Sequence, residues 1–196
     1  GGELSSLEEY AVQMVATYPQ FAMINFGDEH GNFLMPKKLP DGTIATKIIR
    51  RTANPPTVTW NYRDSAGHVV RSETSPIIDY DPRVRSWYVG AKESAELHWT
   101  DTYIFFTDRR PGITASCPVR ADDGTLLGVV GFDIELESLS HFLASLQIGA
   151  NGLSFIVDGG GNVVAYPNLD SIVVEGADGL RTAHLEEVSA PWVAAS

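Results

Sequence analysis

Arg85 and Asp133 are the two residues whose surroundings in the sequence give each a chemical task. Arg85 lies in Asp79-Tyr80-Asp81-Pro82-Arg83-Val84-Arg85-Ser86-Trp87-Tyr88. Asp81 is a favourable helix N-cap and Pro82 a favourable first helical residue. A short helix is therefore predicted to start here, with Arg85 in its first turn and Trp87 and Tyr88 just behind. A helix start offers free backbone N–H groups and partial positive charge, to which a guanidinium adds a full charge and a planar fork of donors. Together they suit a small carboxylate. A second reading is equally open at this point: Arg85 pairs with a nearby aspartate and both aromatics are core. Asp133 ends the run Leu126-Leu127-Gly128-Val129-Val130-Gly131-Phe132-Asp133-Ile134, which is nearly continuous apolar and reads as a central strand. A carboxylate there must be matched by a cation, from the protein or from a ligand.

Other chemistries find little support. The five histidines are scattered without metal-ligand spacing, so no metal and no cofactor is expected. No serine elbow and no paired Cys and His occur, and the chain is not expected to be an enzyme. Gly159-Gly160-Gly161 is not a phosphate loop, because no Lys-Ser/Thr follows. A formal net charge of −11 argues against nucleic acid and anionic membranes as partners. Cys117, the one cysteine, excludes an internal disulfide and reads as a buried, inert thiol. No apolar run is long enough to cross a bilayer. The start Gly1-Gly2 suggests a piece of a longer protein, whose other parts could be membrane-anchored.

The elements that must position Arg85 and Asp133 follow from periodicity. Leu4, Leu7, Ala11, Met14 and Tyr18 recur at helical spacing, Ser5 and Glu8 form a possible capping box, and Pro19 ends the run. So narrow a stripe packs along a sheet or along a second copy of itself. Short β segments follow at 21–26, 33–35, 43–50, 57–62 and 68–71, separated by turn residues, as a meander of hairpins. Trp60 and Tyr62 could wall a pocket. After the Asp81 helix, 99–106 and 112–119 read as two long strands, and the turn 121–124 leads into 126–134. Gly128 and Gly131 mark a bulge or a close approach by another group. Residues 136–148 are amphipathic, 149–152 break the helix, 153–157 and 163–166 form a hairpin, and 180–188 read as helical.

Tyr80 to Tyr88 resembles the signature of double Cache sensor domains, the extracytoplasmic ligand-binding parts of bacterial chemoreceptors, sensor histidine kinases and cyclic-nucleotide signalling enzymes. The resemblance continues through Gly128-Val129-Val130-Gly131-Phe132-Asp133-Ile134, through Gly152-Leu153-Ser154-Phe155-Ile156-Val157-Asp158 and into Ala165-Tyr166-Pro167. It covers roughly the whole chain in order. It implies an α/β (α+β) fold: a long N-terminal helix, a PAS-like antiparallel-sheet domain and a partial second PAS-like domain. The boundaries expected are 1–19 for the stalk helix, 20–149 for the membrane-distal ligand-binding domain and 150–196 for a truncated membrane-proximal domain.

By the same resemblance, Tyr80, Arg85, Trp87, Tyr88, Tyr103 and Asp133 match the pocket of the amino-acid-binding subgroup. Arg85 and the Trp87 indole N–H would hold a carboxylate, and Asp133, helped by Tyr88, an ammonium group. Tyr80 and Tyr103 would supply hydroxyls. Ser86 stands where the family often has Pro, and Phe105 or Phe106, if turned inward, would narrow the pocket. The expected partner is a small molecule, an amino acid or a related carboxylate or amine, with a homodimer through the N-terminal helix as a further expectation. The location implied is the periplasmic side of an inner-membrane protein. An organic acid or amine in the same fold, and a ligand-free dimerisation or partner-binding module, stay open as alternatives.

Overall fold

The computed structural model describes residues 2–76, 80–94, 96–146, 152–167, 173–176 and 179–188. The chain gathers into two compact units, 1–100 with 114–133, and 101–113 with 134–196. The fold is α/β and PAS-like: an N-terminal helix, then a large antiparallel sheet.

Helix α1 (Gly2–Thr17) opens the first unit. The meander follows as β1 (Met23–Asp28), β2 (Phe33–Lys38), β3 (Ile44–Arg50), β4 (Thr57–Arg63) and β5 (Val69–Ser75), each antiparallel to the next. The turns are those expected from Asp28 to Asn32 and around Gly42 and Gly67; Asp28 accepts from the N–H groups of His30 and Asn32, closing the first. Strand β9 (Leu126–Glu135) pairs with β1 and has β8 (Pro111–Arg120) on its other side, so the sheet runs β5-β4-β3-β2-β1-β9-β8. The predicted central position of 126–134 is confirmed.

Alternation gives the sheet two different faces. One carries Ile24, Phe26, Leu34 and Pro36, and there Leu7, Ala11 and Met14 of α1 border the same apolar hollow. Helix and sheet are also tied by charge: Glu8 pairs with Arg63, and Arg63 donates to Thr46 Oγ1. The opposite face carries Gly27, Phe33, Lys47, Gly131 and Asp133, and this is where the residues following β5 pack.

Four expectations need correction, the last at residues 180–188. The helix starting at Asp81 is a single 3-10 turn, Pro82–Val84, followed by a separate helix α2 (Ser86–Ser94). Asp81 does cap the turn, accepting from Arg83 N–H at 3.0 Å. Arg85, however, is extended (φ −89°, ψ 146°), and its carbonyl accepts from Tyr88 and Val89 N–H, so it caps α2 rather than lying in a first turn. Residues 99–106 do not form one long strand. They give β6 (His98–Trp99) and β7 (Tyr103–Ile104), both paired with β8. Trp99 opposes Ala115 and Tyr103 opposes Gly112, so four steps on one side meet three on the other, and the extra residue interrupts the ladder. Cys117 is half-buried rather than enclosed.

In the second unit, α3 (Leu136–Ser145) is the amphipathic helix expected. Leu136 packs with Val163, Val164, Tyr166, Ala183 and Val188 in a separate small core. Strands β10 (Ile156–Val157) and β11 (Val163–Ala165) form the predicted hairpin, and β12 (Val173–Gly176) pairs with β13 (Gly179–Thr182). Residues 180–188 are therefore not a helix. After β13 they make one 3-10 turn, Leu185–Glu187, because His184 and Glu187 close a reciprocal cap on so short a segment. Of the helix break read at 149–152, residues 149–151 lie outside the described residues, as does Asp79.

Candidate functional site

Two glycines let the site segment lie directly on the sheet. A Cβ on Gly27 would stand 2.7 Å from Pro82 Cβ, and one on Gly131 would stand 3.2 Å from Trp87 Cε3. Trp87 is 2% exposed and Tyr80 7%. Their rings lie 6.4 and 4.7 Å from Phe33. Ser116 of β8 donates to the Trp87 carbonyl at 2.8 Å, pinning the backbone of α2 to the sheet.

Tyr80 is the centre of this cluster. Trp87 Nε1 donates to its hydroxyl at 3.3 Å. The Arg85 guanidinium carbon lies 4.6 Å from its ring centroid. Burial pushes the Tyr80 phenol well above its ordinary value; the negative charge of Asp133 raises it further, and the positive charge of Arg85 opposes this. Asp133 is 4% exposed and accepts from Thr114 Oγ1 at 2.7 Å. A Cβ on Gly131 would meet Thr114 Cγ2 at 3.1 Å as well as Trp87 Cε3, so Thr114, and with it Asp133, stands beside the cluster of Tyr80, Arg85 and Trp87.

Tyr88 and Tyr103 are placed differently. The Tyr88 ring packs edge-on against Trp87, at 5.6 Å, but its hydroxyl donates to Glu29 Oε1 at 2.6 Å. Glu29 follows Asp28, which opposes Gly128, whereas Asp133 opposes Met23 at the other end of the same ladder. At about 3.4 Å per residue those ends are roughly 17 Å apart. The second Glu29 oxygen accepts from Lys92 Nζ at 2.8 Å. Burial and the Glu29 carboxylate push the Tyr88 phenol upward, while the Lys92 and Tyr88 hydrogen bonds hold Glu29 below the usual range. Tyr88 and Lys92 thus fasten α2 to the β1–β2 turn. Tyr103 belongs to the second unit. There it meets Phe105 edge-on at 5.2 Å and borders a hollow of about 410 Å³ with Asp158, Asn162 and Arg181. Phe105 is buried where Gly112 has no side chain, and Phe106 stacks near Arg109.

Lys47 was missed in the sequence. It is 5% exposed, opposes Trp60 in the β3–β4 ladder, and its Nζ lies 5.4 Å from the Tyr80 ring centroid and 5.8 Å from that of Trp60. A signal was present: Lys47 occupies the same alternation slot as Ala45 and Ile49, 0% and 1% exposed, where lysine is rare. Thr114 was missed for want of any motif around it. Among the described residues no group of three or more His, Cys, Asp or Glu could hold a metal ion.

Comparison with known proteins gives this arrangement a family. Residues 39–141, more than half of the chain, match the family described as methyl-accepting chemotaxis protein-like, first PDC sensor domain. The methyl-accepting chemotaxis protein PscA of Pseudomonas syringae pv. tomato is 34% identical over 90 residues, 46% of this chain and 14% of that protein. PctB of Pseudomonas aeruginosa is 33% identical over 95 residues, 48% of this chain and 15% of that protein. The matched stretch thus spans about one seventh of these relatives. The solved ligand-binding domain of PctB in complex with L-Gln superposes with a TM-score of 0.54 at 22% identity, covering 85% of this chain and 53% of that one, and shares the fold. The match over residues 39–141, which hold strands β3 to β5 and the stretch from Tyr80 to Asp133, makes the chain a member of the methyl-accepting chemotaxis protein-like family of first PDC sensor domains.

Proposed function

We propose that this sensor domain binds an amino acid and that Arg85 and Asp133 recognise its two charges. The observation that carries the reading is that the Arg85 guanidinium lies against the Tyr80 ring and Trp87 Nε1 donates to the Tyr80 hydroxyl, with Asp133 buried on the sheet face that Trp87 covers. A zwitterion needs a fixed cation and a fixed anion near one another within a largely apolar wall. Arg85 and the Trp87 indole N–H are assigned to the ligand carboxylate. Asp133, set by Thr114, is assigned to the ammonium group. Tyr80 is assigned a hydroxyl contact to the ligand, and Tyr88 acts through Glu29 as a positioning residue. The name of PctB as an amino acid chemoreceptor, solved with L-Gln, supports the same class of ligand.

The domain carries out no reaction in this reading. It forms the extracytoplasmic part of a membrane-anchored receptor, ligand binding shifts an equilibrium between two conformations, and a cytoplasmic output domain reads the shift. No helix among the described residues is long and apolar enough to cross a membrane, so the anchor is assigned to other parts of the parent protein. Pairing of two copies along α1 belongs to the same proposal; Tyr10, two-thirds exposed on that helix, is available for it.

Isothermal titration calorimetry of the purified chain against the proteinogenic amino acids tests the site. At least one should bind, and Arg85→Ala and Asp133→Ala should each weaken it by about 100-fold or more, the loss of a charge-assisted contact. Binding that survives Asp133→Ala but not Arg85→Ala would identify a simple organic acid instead, and the reverse result an amine.

A further inference from the structure

We propose that strand β5 is a docking edge for a second copy of this chain, joined antiparallel about Ser72. The inference is independent of the ligand site and of pairing along α1. Strand β5 ends the large sheet, and among the described residues β4 is its one neighbour there. Val69 to Thr74 are all exposed, so neither side of the strand is covered by the described residues. Such an edge offers its backbone N–H and C=O groups to any strand that can match them. Natural edges are commonly blunted by proline, by lysine or by brevity. Strand β5 has seven residues, no proline and no lysine, and it opens with Val69 and Val70, 50% and 64% exposed. Its irregularity in pairing, opposite Tyr62 and Arg63, lies at that opening end.

Charge along β5 selects both the partner and the register. Two identical edge strands that meet antiparallel are related by a twofold axis normal to the sheet, so one residue faces its own copy. Centring on Ser72, the midpoint of Val69–Ser75, overlaps the whole strand. Arg71 of each copy then opposes Glu73 of the other, and Val70 opposes Thr74. Centring on Arg71 or on Glu73 instead sets like charges face to face, which disfavours those registers. Arg71 and Glu73 share the face that carries Tyr62 and Trp60, and the Arg71 guanidinium carbon lies 3.7 Å from the Tyr62 ring centroid. The two pair with each other along their own strand, yet their side chains stay 56% and 53% exposed. A guanidinium has five N–H donors and a carboxylate has two acceptor oxygens, so each can also take the opposite charge of the second copy. At the axis stands Ser72, a small side chain whose hydroxyl turns back to Asn61 Oδ1 at 2.8 Å. A seven-residue edge is small beside a standard interface of about 800 Å² per partner, so the contact suits copies already gathered in one membrane.

Sedimentation equilibrium of the purified chain, at concentrations up to about 1 mM, tests the edge. Tyr10→Glu is carried throughout to remove pairing along α1. The chain should still self-associate. Arg71→Glu and, separately, Glu73→Arg place like charges opposite each other and should each weaken association by about tenfold or more. Both exchanges together should restore it to within about threefold of the parent. An equimolar mixture of the two single variants should form a heterodimer more tightly than either forms a homodimer, because every opposed pair is then unlike. The exchanged side chains are exposed, and circular dichroism checks that each variant is folded. Association that ignores both single exchanges would overturn the proposal. So would a chain that stays monomeric at the highest concentration, a double exchange that restores nothing, or a mixture that associates no better than its components.

Discussion

Glu29 takes one proton donor on each carboxylate oxygen, Tyr88 on one and Lys92 on the other. Its role is to fix the pitch of α2, which carries Trp87. Replacing Tyr88 by Phe removes a hydrogen bond to a charged acceptor and should lower stability by about 1–1.5 kcal/mol in urea denaturation. The same pair predicts a pH dependence. Glu29 titrates below its ordinary 4.5 in the folded chain, first because of Lys92 and then Tyr88. As pH falls, the unfolded chain takes up the proton first. The contribution is therefore complete above about pH 4.5 and is lost as pH falls through the lower folded value. Denaturation curves at a series of pH values should show wild type losing more stability than Glu29→Gln below that point. Identical acid profiles would mean Glu29 carries none of the effect. At this scale the sequence revealed Tyr80, Arg85 and Trp87 because aromatic and charged residues cluster at 79–88, and Asp133 because it is a lone charge in an apolar run. It concealed Glu29 and Lys47, whose partners are 59 residues away for Tyr88 and across the sheet for Tyr80.

Between elements, two contacts can be broken one at a time. Glu8 of α1 and Arg63 of β4 form an ion pair with side chains 15% and 8% exposed. Glu8→Ala leaves a largely buried guanidinium with Thr46 and should cost about 3 kcal/mol, read from the midpoint of a denaturant curve. The approach of the 3-10 turn to β1 is the other. A methyl group at Gly27 would have to displace Pro82, so Gly27→Ala should cost about 1–3 kcal/mol. Because Pro82 precedes Arg85 by one turn, ligand affinity should fall as well. Unchanged affinity would show that the turn and the site move independently. The meander was legible because Asp, Asn and Gly punctuate strands of alternating pattern. The break between β6 and β7 was not, since it depends on how residues 99–104 register against β8. Nor was the turn at residues 185–187, where a helical composition is overruled by strand pairing at residues 179–182.

Among the described residues the second unit has a small core of its own, and Tyr80, Arg85, Trp87 and Asp133 all belong to the first unit. A ligand at several hundred times its dissociation constant should stabilise that unit by about 3 kcal/mol, visible as a rise in melting temperature. Residues 101–113 belong to the second unit although the stretches on either side of them in sequence belong to the first, which no local pattern could announce. Most of the order of elements was legible because it rests on periodicity and turn chemistry, whereas the PAS-like class was implied by the resemblance.

Trp87 is sealed in the cluster beside Tyr80, and Trp60 faces Lys47. Indole emission depends on the charge and solvent around the ring, so the protein arrives with its own optical probe. A spectrum recorded during titration would shift in colour or brightness as a ligand binds, with no dye attached, and replacing the four tryptophans by Phe one at a time would tell which of them responds.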